Sequence, residues 1–564
     1  SYDDDQSVFE EINISNDPKD KLKDDTIEKK IAAYYAIILL YSFLTKTRLR
    51  SLEDLINSLS SDENNKRIAS NIGLKKLELK SLFEYSSSFT ILHLDRKINN
   101  INTLGYDKDL EPVKRAEMAM KRFSRVSVNE IVMPKKVSRD LVSNIPKKYI
   151  TNKTLFLDLS SKQGEIAISI CQIYKQIPKE NIYSISTSRS AYELTRKVYE
   201  LLDIPLKNVL NFSSFDLLDN EKSDLINTLK NLNFDIIIGG PPFQEIDGGG
   251  RGDSGSALYI KFIELAIKLN PQVVSLFIKA NWYSGGKAKG MIPFRESMIN
   301  DKRISLIDDY PDPEIYFKNN ASIRGGVCNI LWERDHNGDC LIINNIGDKV
   351  FKEKRAIKFM NENILIRYNI GLSILKKVLE ISDKFMQESV WPRNPFKIDT
   401  KYKFTEVQNQ INSSQNSVKV YLPKKKFTYI DLNFVNNHRN IDQWKVIVAK
   451  TSPGADDLPH SIISSPIISE PGSIGSESHL LICVVENENQ AKNLESYMKT
   501  RFFRFMMSLA KNNHNLTQKI FRYVPHLDFS VNWSDKMLYE KYSISNSEID
   551  FIKLIVRDWG ERKS

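Results

Sequence analysis

Short apolar runs alternate with amphipathic stretches through the middle of the chain, from about residue 116 to residue 350. The runs are rich in β-branched and aromatic residues, which favours strands, whereas the stretches between them have helical spacing. The runs lie at 154–157, 182–185, 209–212, 234–238, 273–278, 304–307 and 327–332, and the clearest helical stretches at 191–202 and 258–269. Strands that alternate with helices form mostly parallel sheets covered on both faces. The pattern therefore predicts an α/β fold with a doubly wound sheet.

The two flanking regions have different patterns. Residues 1–115 are charged and helix-like, with little strand signal. Residues 351–564 are mixed: segments rich in proline, serine and glycine are followed by helical patterns at 489–511 and 548–558. Together with the middle region at 116–350, we expect three parts: a helical N-terminal region, a sheet domain and a mixed α/β C-terminal domain.

Composition narrows the class of protein only slightly. The 564 residues are 41% hydrophobic and 27% charged, which is an ordinary globular balance, and the formal net charge of +10 permits a polyanionic partner without requiring one. The four cysteines form no CxxC pair, which favours a reducing cytoplasm. The apolar run at 31–44 is 14 residues long, too short for a membrane span, and predicts a buried helix.

The segment most informative about chemistry follows the apolar run at 234–238. The strand leads into two glycines, two prolines and an aromatic, Gly239 to Phe243. Glycine allows an unusual backbone path, and Pro241 and Pro242 then fix that path and leave carbonyl acceptors without their own N–H donors. A rigid loop with free carbonyls and the aromatic face of Phe243 suits a planar group that carries an amine. The alternative is an ordinary turn from a strand into a loop.

This segment resembles the Asp/Asn/Ser-Pro-Pro-Tyr/Phe signature of S-adenosylmethionine-dependent amino methyltransferases that act on DNA bases. Blocks at 254–264, 277–287, 294–299 and 325–332 follow in the order seen in the adenine-N6 methyltransferases of Type II restriction–modification systems. The resemblance implies a Rossmann-like methyltransferase sheet, S-adenosylmethionine as cofactor, and double-stranded DNA as partner. It further implies a flipped-out adenine as substrate, a C-terminal target-recognition domain and association with a restriction subunit, and it requires no metal.

The resemblance also assigns residues to the methionine end of the cofactor. Asp158 and Ser160 lie at the end of a strand, and Gly164 opens the following helix. A glycine there lets a ligand approach the backbone, and the helix N-terminus offers free N–H groups to a carboxylate. Lys162 occupies the position that is usually the first glycine of this loop. An ordinary turn between a strand and a helix is the alternative.

Three further positions complete the predicted cofactor site. Thr187 and its neighbouring serines stand where many nucleotide-binding folds place an acidic residue, and their hydroxyls can hydrogen-bond a ribose without charge assistance. By resemblance, Asp216 accepts from the exocyclic amine of the cofactor's adenine. Pro134 lies in a segment that closes over the cofactor, where the family commonly has Thr-Pro and this chain has Met133-Pro134. A surface turn explains Pro134 equally well.

The main departure from the family is Gly240. The family has Asp, Asn or Ser there, whose side-chain oxygen accepts a hydrogen bond from the target amine. Removing a positioned partner of a transition state costs roughly 10²–10³ in rate. The chain is then an engineered inactive form, a natural methyltransferase-like protein that binds DNA or joins a restriction or defence complex without methylating, or an enzyme in which water or Asp247 supplies the acceptor.

Candidate DNA contacts are basic residues on loops and helices. Their positive charge suits the phosphate backbone, although solvated turns and loops also carry such residues. They are Arg251 in a glycine-rich loop, the run Lys424, Lys425 and Lys426, and Arg501 and Arg504 in a helical pattern. We expect the excess positive charge to concentrate along a cleft between the central and C-terminal domains.

Overall fold

The computed structural model describes residues 27–123, 133–243, 257–285, 290–312, 325–398, 416–423, 426–451, 458–511 and 515–561. Its contacts divide the chain into two compact units. The first comprises 1–128 and 189–203, and the second comprises 129–188 and 204–564. The predicted domain boundaries at 115 and 350 both stay predictions.

Helices and strands are numbered here in chain order. The helices are α1 (Ile27–Leu44), α2 (Leu52–Ser58), α3 (Glu63–Ile72), α4 (Lys76–Tyr85), α5 (Ser88–Leu104), α6 (Pro112–Phe123), α7 (Lys135–Ser143), α8 (Glu165–Ile173), α9 (Arg189–Leu201), α10 (Ser223–Leu232), α11 (Leu258–Lys268), α12 (Met291–Asn300), α13 (Asn369–Ile381), α14 (Glu488–Lys499), α15 (Arg501–Ser508), α16 (Asp535–Lys541) and α17 (Asn546–Ile555). The strands are β1 (Phe156–Ser161), β2 (Ile182–Ser186), β3 (Val209–Ser213), β4 (Ile236–Gly239), β5 (Val273–Lys279), β6 (Ile304–Tyr310), β7 (Val327–Glu333), β8 (Cys340–Ile346), β9 (Lys349–Arg355), β10 (Ser417–Leu422), β11 (Lys426–Asp431), β12 (Trp444–Ala449), β13 (Ile467–Ser469), β14 (Ser473–Gly475) and β15 (His479–Val485).

The first unit is helical, as the sequence predicts, and it takes in one helix from the middle of the chain. Helix α9 packs against α3 and α6. Its Glu193 carboxylate is buried and accepts from Arg67 Nε and Nη2, each at 2.9 Å, and from Asn71 Nδ2 at 2.5 Å. A buried carboxylate is stable only when it is paired in this way. The first unit is therefore assembled from two separate stretches of sequence.

The second unit is built on a nine-stranded sheet with the order β3-β2-β1-β4-β5-β7-β6-β8-β9. Strands β1 to β5 are parallel, and β7 runs antiparallel to β5 and β6. This confirms the predicted α/β class and all seven predicted strands. The strand order reverses between β1 and β4, and ligands of such sheets bind at the carboxyl ends of the strands at that reversal.

The C-terminal part of this unit is mixed α/β, also as predicted. It has two three-stranded sheets, ordered β11-β10-β14 and β13-β12-β15, with helices α13 to α17. The single helix predicted over 489–511 is two helices. Thr500 separates α14 from α15 because its backbone is extended and its hydroxyl accepts from the Phe503 N–H, which caps the second helix.

Helix α1 contains the longest apolar run of the sequence. Its residues from Ile38 to Leu44 are buried in the first unit. Within the described parts of the chain, no helix has the length and apolar character needed to cross a membrane.

Candidate active site

The reversal point of the sheet brings two predicted segments together. Asp158 of β1 is in register with Ile238 of β4, so the carboxyl ends of these strands lie side by side. Gly239 has φ +146°, and a Cβ there would lie 2.9 Å from both Asp158 Oδ1 and Ser160 Oγ. A side chain at Gly239 is excluded by both its backbone and its neighbours. The close approach of the two loops thus depends on this glycine.

Several buried polar atoms converge at this edge. Among the described residues, Asp158 Oδ2, Ser160 Oγ, Ser186 Oγ and Thr187 Oγ1 are buried and have no hydrogen-bond partner. They lie close in space because β1 and β2 are neighbours and the Thr187 N–H donates to the Ser161 carbonyl. A buried polar atom without a partner costs about 1–3 kcal/mol. Such a cluster fits a polar ligand that would supply the missing partners.

The β1 loop adds two acids and a helix N-terminus. Gly164, with φ +77°, is the N-cap of α8, and its N–H donates to Ser161 Oγ. Burial raises the pKa of Asp158 well above its ordinary value, and the nearby Glu165 carboxylate raises it further. Burial likewise raises the pKa of Glu165, against the opposing effect of Lys162. Sequence reasoning missed Glu165, although an acid directly after Gly164 was a visible signal.

Lys162 links the β1 loop to the motif loop. Its ammonium donates to the Gly240 carbonyl at 3.2 Å, and its side chain is buried. The sequence indicated only that a lysine replaces a glycine here. The structure shows that this lysine places a cation between the ends of β1 and β4.

Met133 occupies the space that a side chain on Gly240 would need. A Cβ on Gly240 would lie 2.6 Å from Met133 Cε, and Met133 is 3% exposed. Pro134 is the N-cap of α7 and contributes no capping side chain. The residue of this segment that reaches the motif is therefore Met133, which sequence reasoning named without a role.

The aromatic of the motif lies against the end of β5. Phe243 is half-buried, and its ring centroid is 6.5 Å from that of Phe277. The ammonium of Lys279 lies over the Phe243 ring, 5.7 Å from its centroid. Lys279 is buried, and burial lowers its pKa. Sequence reasoning missed Lys279, whose signal was a charge at the end of an apolar strand.

The predicted role of Asp216 at the cofactor's adenine stays a prediction. Its Oδ2 accepts from the Ser213 N–H at 2.8 Å, and its Oδ1 accepts from Lys222 Nζ at 2.6 Å. It forms a capping box with Ser213 at the start of a short 3-10 helix. Both carboxylate oxygens are thus engaged locally, so Asp216 is a capping residue in this structure.

One predicted DNA contact is wrong. Arg504 is 1% exposed and donates to the carbonyls of Lys499, Thr500 and Ser461, and burial lowers its pKa to about 10. A guanidinium enclosed in this way cannot reach a phosphate. The sequence did not reveal that Arg504 is buried, because Arg alternates with Phe and Met along α15.

The other candidate DNA-contact residues stay predictions. Arg501 is partly exposed and lies 3.5 Å from an Asp558 carboxylate oxygen. Lys426 is exposed at the start of β11. Arg251, Lys424 and Lys425, together with Asp247, lie outside the described residues.

Residues 148–317 match the family model described as Eco57I restriction-modification methylase. This part of the chain is similar to that methylase domain. The matched range contains the β1 loop, the motif from Gly239 to Phe243, and β5. A curated relative from Mycoplasma pneumoniae (strain ATCC 29342 / M129 / Subtype 1), described as an uncharacterized adenine-specific methylase, is 28% identical over 176 residues. That match covers 29% of this chain, which spans 41% of the relative's length.

The solved structures that this chain resembles are remote from it in sequence. The DrdV protein in a complex with DNA has a TM-score of 0.45 at 10% identity, with 93% of this chain and 67% of that chain covered. The type IIG restriction endonuclease BpuSI has a TM-score of 0.41 at 12% identity, with 91% and 72% covered. A putative class I S-adenosylmethionine-dependent methyltransferase from Listeria monocytogenes has a TM-score of 0.33 at 15% identity, with 55% and 93% covered.

Proposed function

We propose that this chain is a DNA adenine-N6 methyltransferase of a restriction–modification system, which transfers a methyl group from S-adenosylmethionine to a flipped-out adenine. The observation that carries the proposal is the set of unpartnered buried polar atoms beside the motif loop, within the part of the chain that is similar to a methylase domain. The four free thiols are in keeping with a reducing cytoplasm as the location of this reaction.

The β1 and β2 loops would hold the cofactor. Asp158 and Ser160 would bind the methionine end, with the N-terminus of α8 at Gly164 facing its carboxylate. Thr187 would hydrogen-bond the ribose hydroxyls. S-adenosylmethionine supplies a methyl group already activated on a sulfonium, so the protein's contribution is binding and orientation.

The motif loop would hold the target base. A base in a duplex cannot reach this loop while it is stacked, and flipping it out costs a few kcal/mol. The Pro241 carbonyl would then accept from the exocyclic amine, while Phe243 stacks on the ring. Double-stranded DNA is the proposed partner, with exposed Lys426 among its phosphate contacts. A restriction subunit is a further proposed partner.

A second candidate function is recognition of DNA without methylation. Met133 Cε fills the space of the absent acceptor at Gly240, and Lys162 places a cation beside the site of a cationic cofactor. Both features would hinder methyl transfer more than they would hinder DNA binding. This candidate retains the methylase fold as a scaffold for a restriction or defence complex.

Two measurements test these functions together. Isothermal titration calorimetry compares S-adenosylmethionine binding by the wild-type chain, Asp158→Asn and the exposed control Asp224→Asn. Labelled methyl transfer to adenine-containing DNA compares the wild-type chain, Gly240→Asn and Met133→Ala/Gly240→Asn. We expect cofactor binding that Asp158→Asn weakens at least tenfold, and slow transfer that the double variant accelerates.

The outcomes separate the two candidates. Cofactor binding and DNA binding with transfer only by the double variant would favour the non-methylating protein. No cofactor binding and no transfer by any variant would contradict the enzyme. Transfer by the wild-type chain that is restricted to adenine supports the first candidate.

A further inference from the structure

Lys279 lies on the same face of the sheet as the motif loop. Alternate residues of β5 point to the same side, so Lys279 shares a face with Phe277 and Ser275. The Ser275 hydroxyl donates to the Leu141 carbonyl of α7, which identifies this face as the one covered by α7. Pro134 is the N-cap of α7, and it follows Met133, whose Cε lies 2.6 Å from the position of a Cβ on Gly240. Met133 thus precedes the helix that covers the face of β5 on which Lys279 lies.

The Lys279 side chain is buried apart from a small exposed fraction. The residue is 7% exposed, and among the described residues its ammonium has neither a hydrogen-bond acceptor nor a carboxylate. Its contact is the ring of Phe243, at 5.7 Å from the centroid. Buried lysines are normally paired because an isolated ammonium in a low-dielectric environment is costly. An unpaired lysine against the aromatic of a substrate-binding loop is therefore a candidate functional group.

The surroundings favour the neutral amine. Burial alone accounts for the lowered pKa of Lys279, and no ionisable group on the neighbouring elements reverses it. Strand β4 carries none, and those on β7, α7 and α11 are Cys328, Glu333, Lys135, Lys136, Arg139, Asp140, Tyr259, Lys261, Glu264 and Lys268. A bound sulfonium cofactor would add a like charge nearby, which disfavours the ammonium further.

We propose that Lys279 is the proton acceptor for the target amine, at a site where Gly240 lacks the side chain that usually accepts a hydrogen bond from that amine. The proposal rests on the methyltransferase function proposed above. The amine nitrogen forms a bond to the methyl carbon while the carbon–sulfur bond breaks and its electron pair stays on sulfur. One N–H proton of the alkylated amine passes to the lone pair of Lys279 Nζ. The products are a neutral methylated base, a thioether and a lysine ammonium, which then releases its proton to water.

The geometry accounts for why this acceptor would lie on β5. Gly240 carries no side chain, and its carbonyl already accepts from Lys162. A base held by the motif loop would lie near the Phe243 ring that Lys279 contacts. An ammonium at Lys279 that binds a DNA phosphate is the competing role, and an arginine would serve that role equally well.

Methyl-transfer kinetics distinguish the two roles. We expect Lys279→Met and Lys279→Arg each to lower kcat by at least about 10²-fold with little change in KM for DNA, as is typical for loss of a general base. Below the pKa of Lys279, wild-type kcat should rise about tenfold per pH unit, whereas the residual rate of each variant should be independent of pH. Lys268→Met, at the exposed end of α11, serves as the control and should retain the wild-type rate and profile.

A second readout does not depend on turnover. Competitive acetylation of lysines at a series of pH values, followed by mass spectrometry, gives the titration midpoint of each amine. We expect the midpoint of Lys279 to lie below that of Lys268 and to fall further with S-adenosylmethionine. Retained transfer by Lys279→Arg, or a Lys279 midpoint equal to that of Lys268, overturns this role while leaving the methyltransferase function intact. Loss of cofactor binding and transfer in every variant overturns both.

Discussion

The terminal methyl of Met133 lies where a side chain on Gly240 would begin, 2.6 Å from the position of its Cβ. Both residues depart from the family pattern, in which a smaller residue precedes the proline and an acceptor side chain stands in the motif. The structure shows that these two departures are sterically coupled. A side chain at Gly240 therefore requires the flexible end of Met133 to move.

The first prediction concerns this coupling. Gly240→Asn alone forces the flexible end of the Met133 side chain to move, which costs about 1 kcal/mol, the low end of the range for overpacking. We expect the melting temperature to fall in Gly240→Asn, and to fall less when the same substitution is made in a Met133→Ala background. Differential scanning fluorimetry measures this coupling from the melting temperatures of the wild-type chain, both single variants and the double variant. Additive effects would show that the two positions are independent.

The second prediction concerns Asp158. Burial and Glu165 raise its pKa, so the folded protein binds a proton at pH values at which the unfolded chain has lost it. This contribution to stability is present at low pH and is lost as pH rises through the raised pKa. A cationic ligand requires the carboxylate, so its affinity should rise with pH through the same window and then level off.

Calorimetric titration of S-adenosylmethionine between about pH 4.5 and pH 8 checks this expectation. Well below the pKa of Asp158, the affinity should rise about tenfold per pH unit. In Asp158→Asn the affinity should be weaker and nearly independent of pH, while Asp224→Asn should follow the wild-type curve. A flat wild-type curve would show that Asp158 is ionised throughout.

The sequence predicted the sheet because each strand is a continuous apolar run, which buried parallel strands require. It did not predict β9, whose exposed Lys352 and Lys354 make it an edge strand with no apolar run. It also did not predict that α9 belongs to the first unit. The pairing of Glu193 with Arg67 joins positions 126 residues apart, which local periodicity cannot reveal.

Resemblance to a family named residues at the strand ends that the structure brings together, whereas side chains that meet across loops were missed; the roles of the named residues stay predictions. Asp158, Ser160 and Thr187 do cluster at the strand ends. The roles of Met133 and Lys279 depend on which neighbour fills the space beside a glycine or an aromatic ring. That information exists only after folding.

The third prediction concerns the buried ion pair between Arg367 and Asp309 of β6. Arg367 donates to both carboxylate oxygens of Asp309, at 2.8 and 2.9 Å, and to the Gly325 carbonyl, also at 2.9 Å. Arg367→Met leaves Asp309 charged and buried, which costs about 3–5 kcal/mol. We expect a large fall in melting temperature, partly reversed in Arg367→Met/Asp309→Asn. The more exposed pair of Arg303 and Asp301 is the control, where Arg303→Met should cost no more than about 1 kcal/mol. Equal losses in the two single variants would contradict the importance of burial.

The fourth prediction concerns His479, which is buried at the start of β15 with its Nδ1 3.2 Å from Ser476 Oγ. Burial lowers its pKa to about 4 from the ordinary 6.5. Between these values the unfolded chain binds a proton that the folded protein does not, so stability falls as pH falls through this window. At about 1.4 kcal/mol per pH unit, the contribution lost by pH 4 is about 3 kcal/mol.

Melting temperatures measured by circular dichroism between pH 4.5 and pH 7.5 check the His479 expectation. His479→Gln removes the titrating group, so its melting temperature should fall less steeply with acid than that of the wild-type chain. His93→Gln, at an exposed position on α5, controls for loss of a histidine and should keep the wild-type slope. Equal slopes for the wild-type chain and His479→Gln would show that the pKa of the His479 imidazole is the same in the folded protein and in the unfolded chain. The buried edge of β15 would then have to admit water at His479.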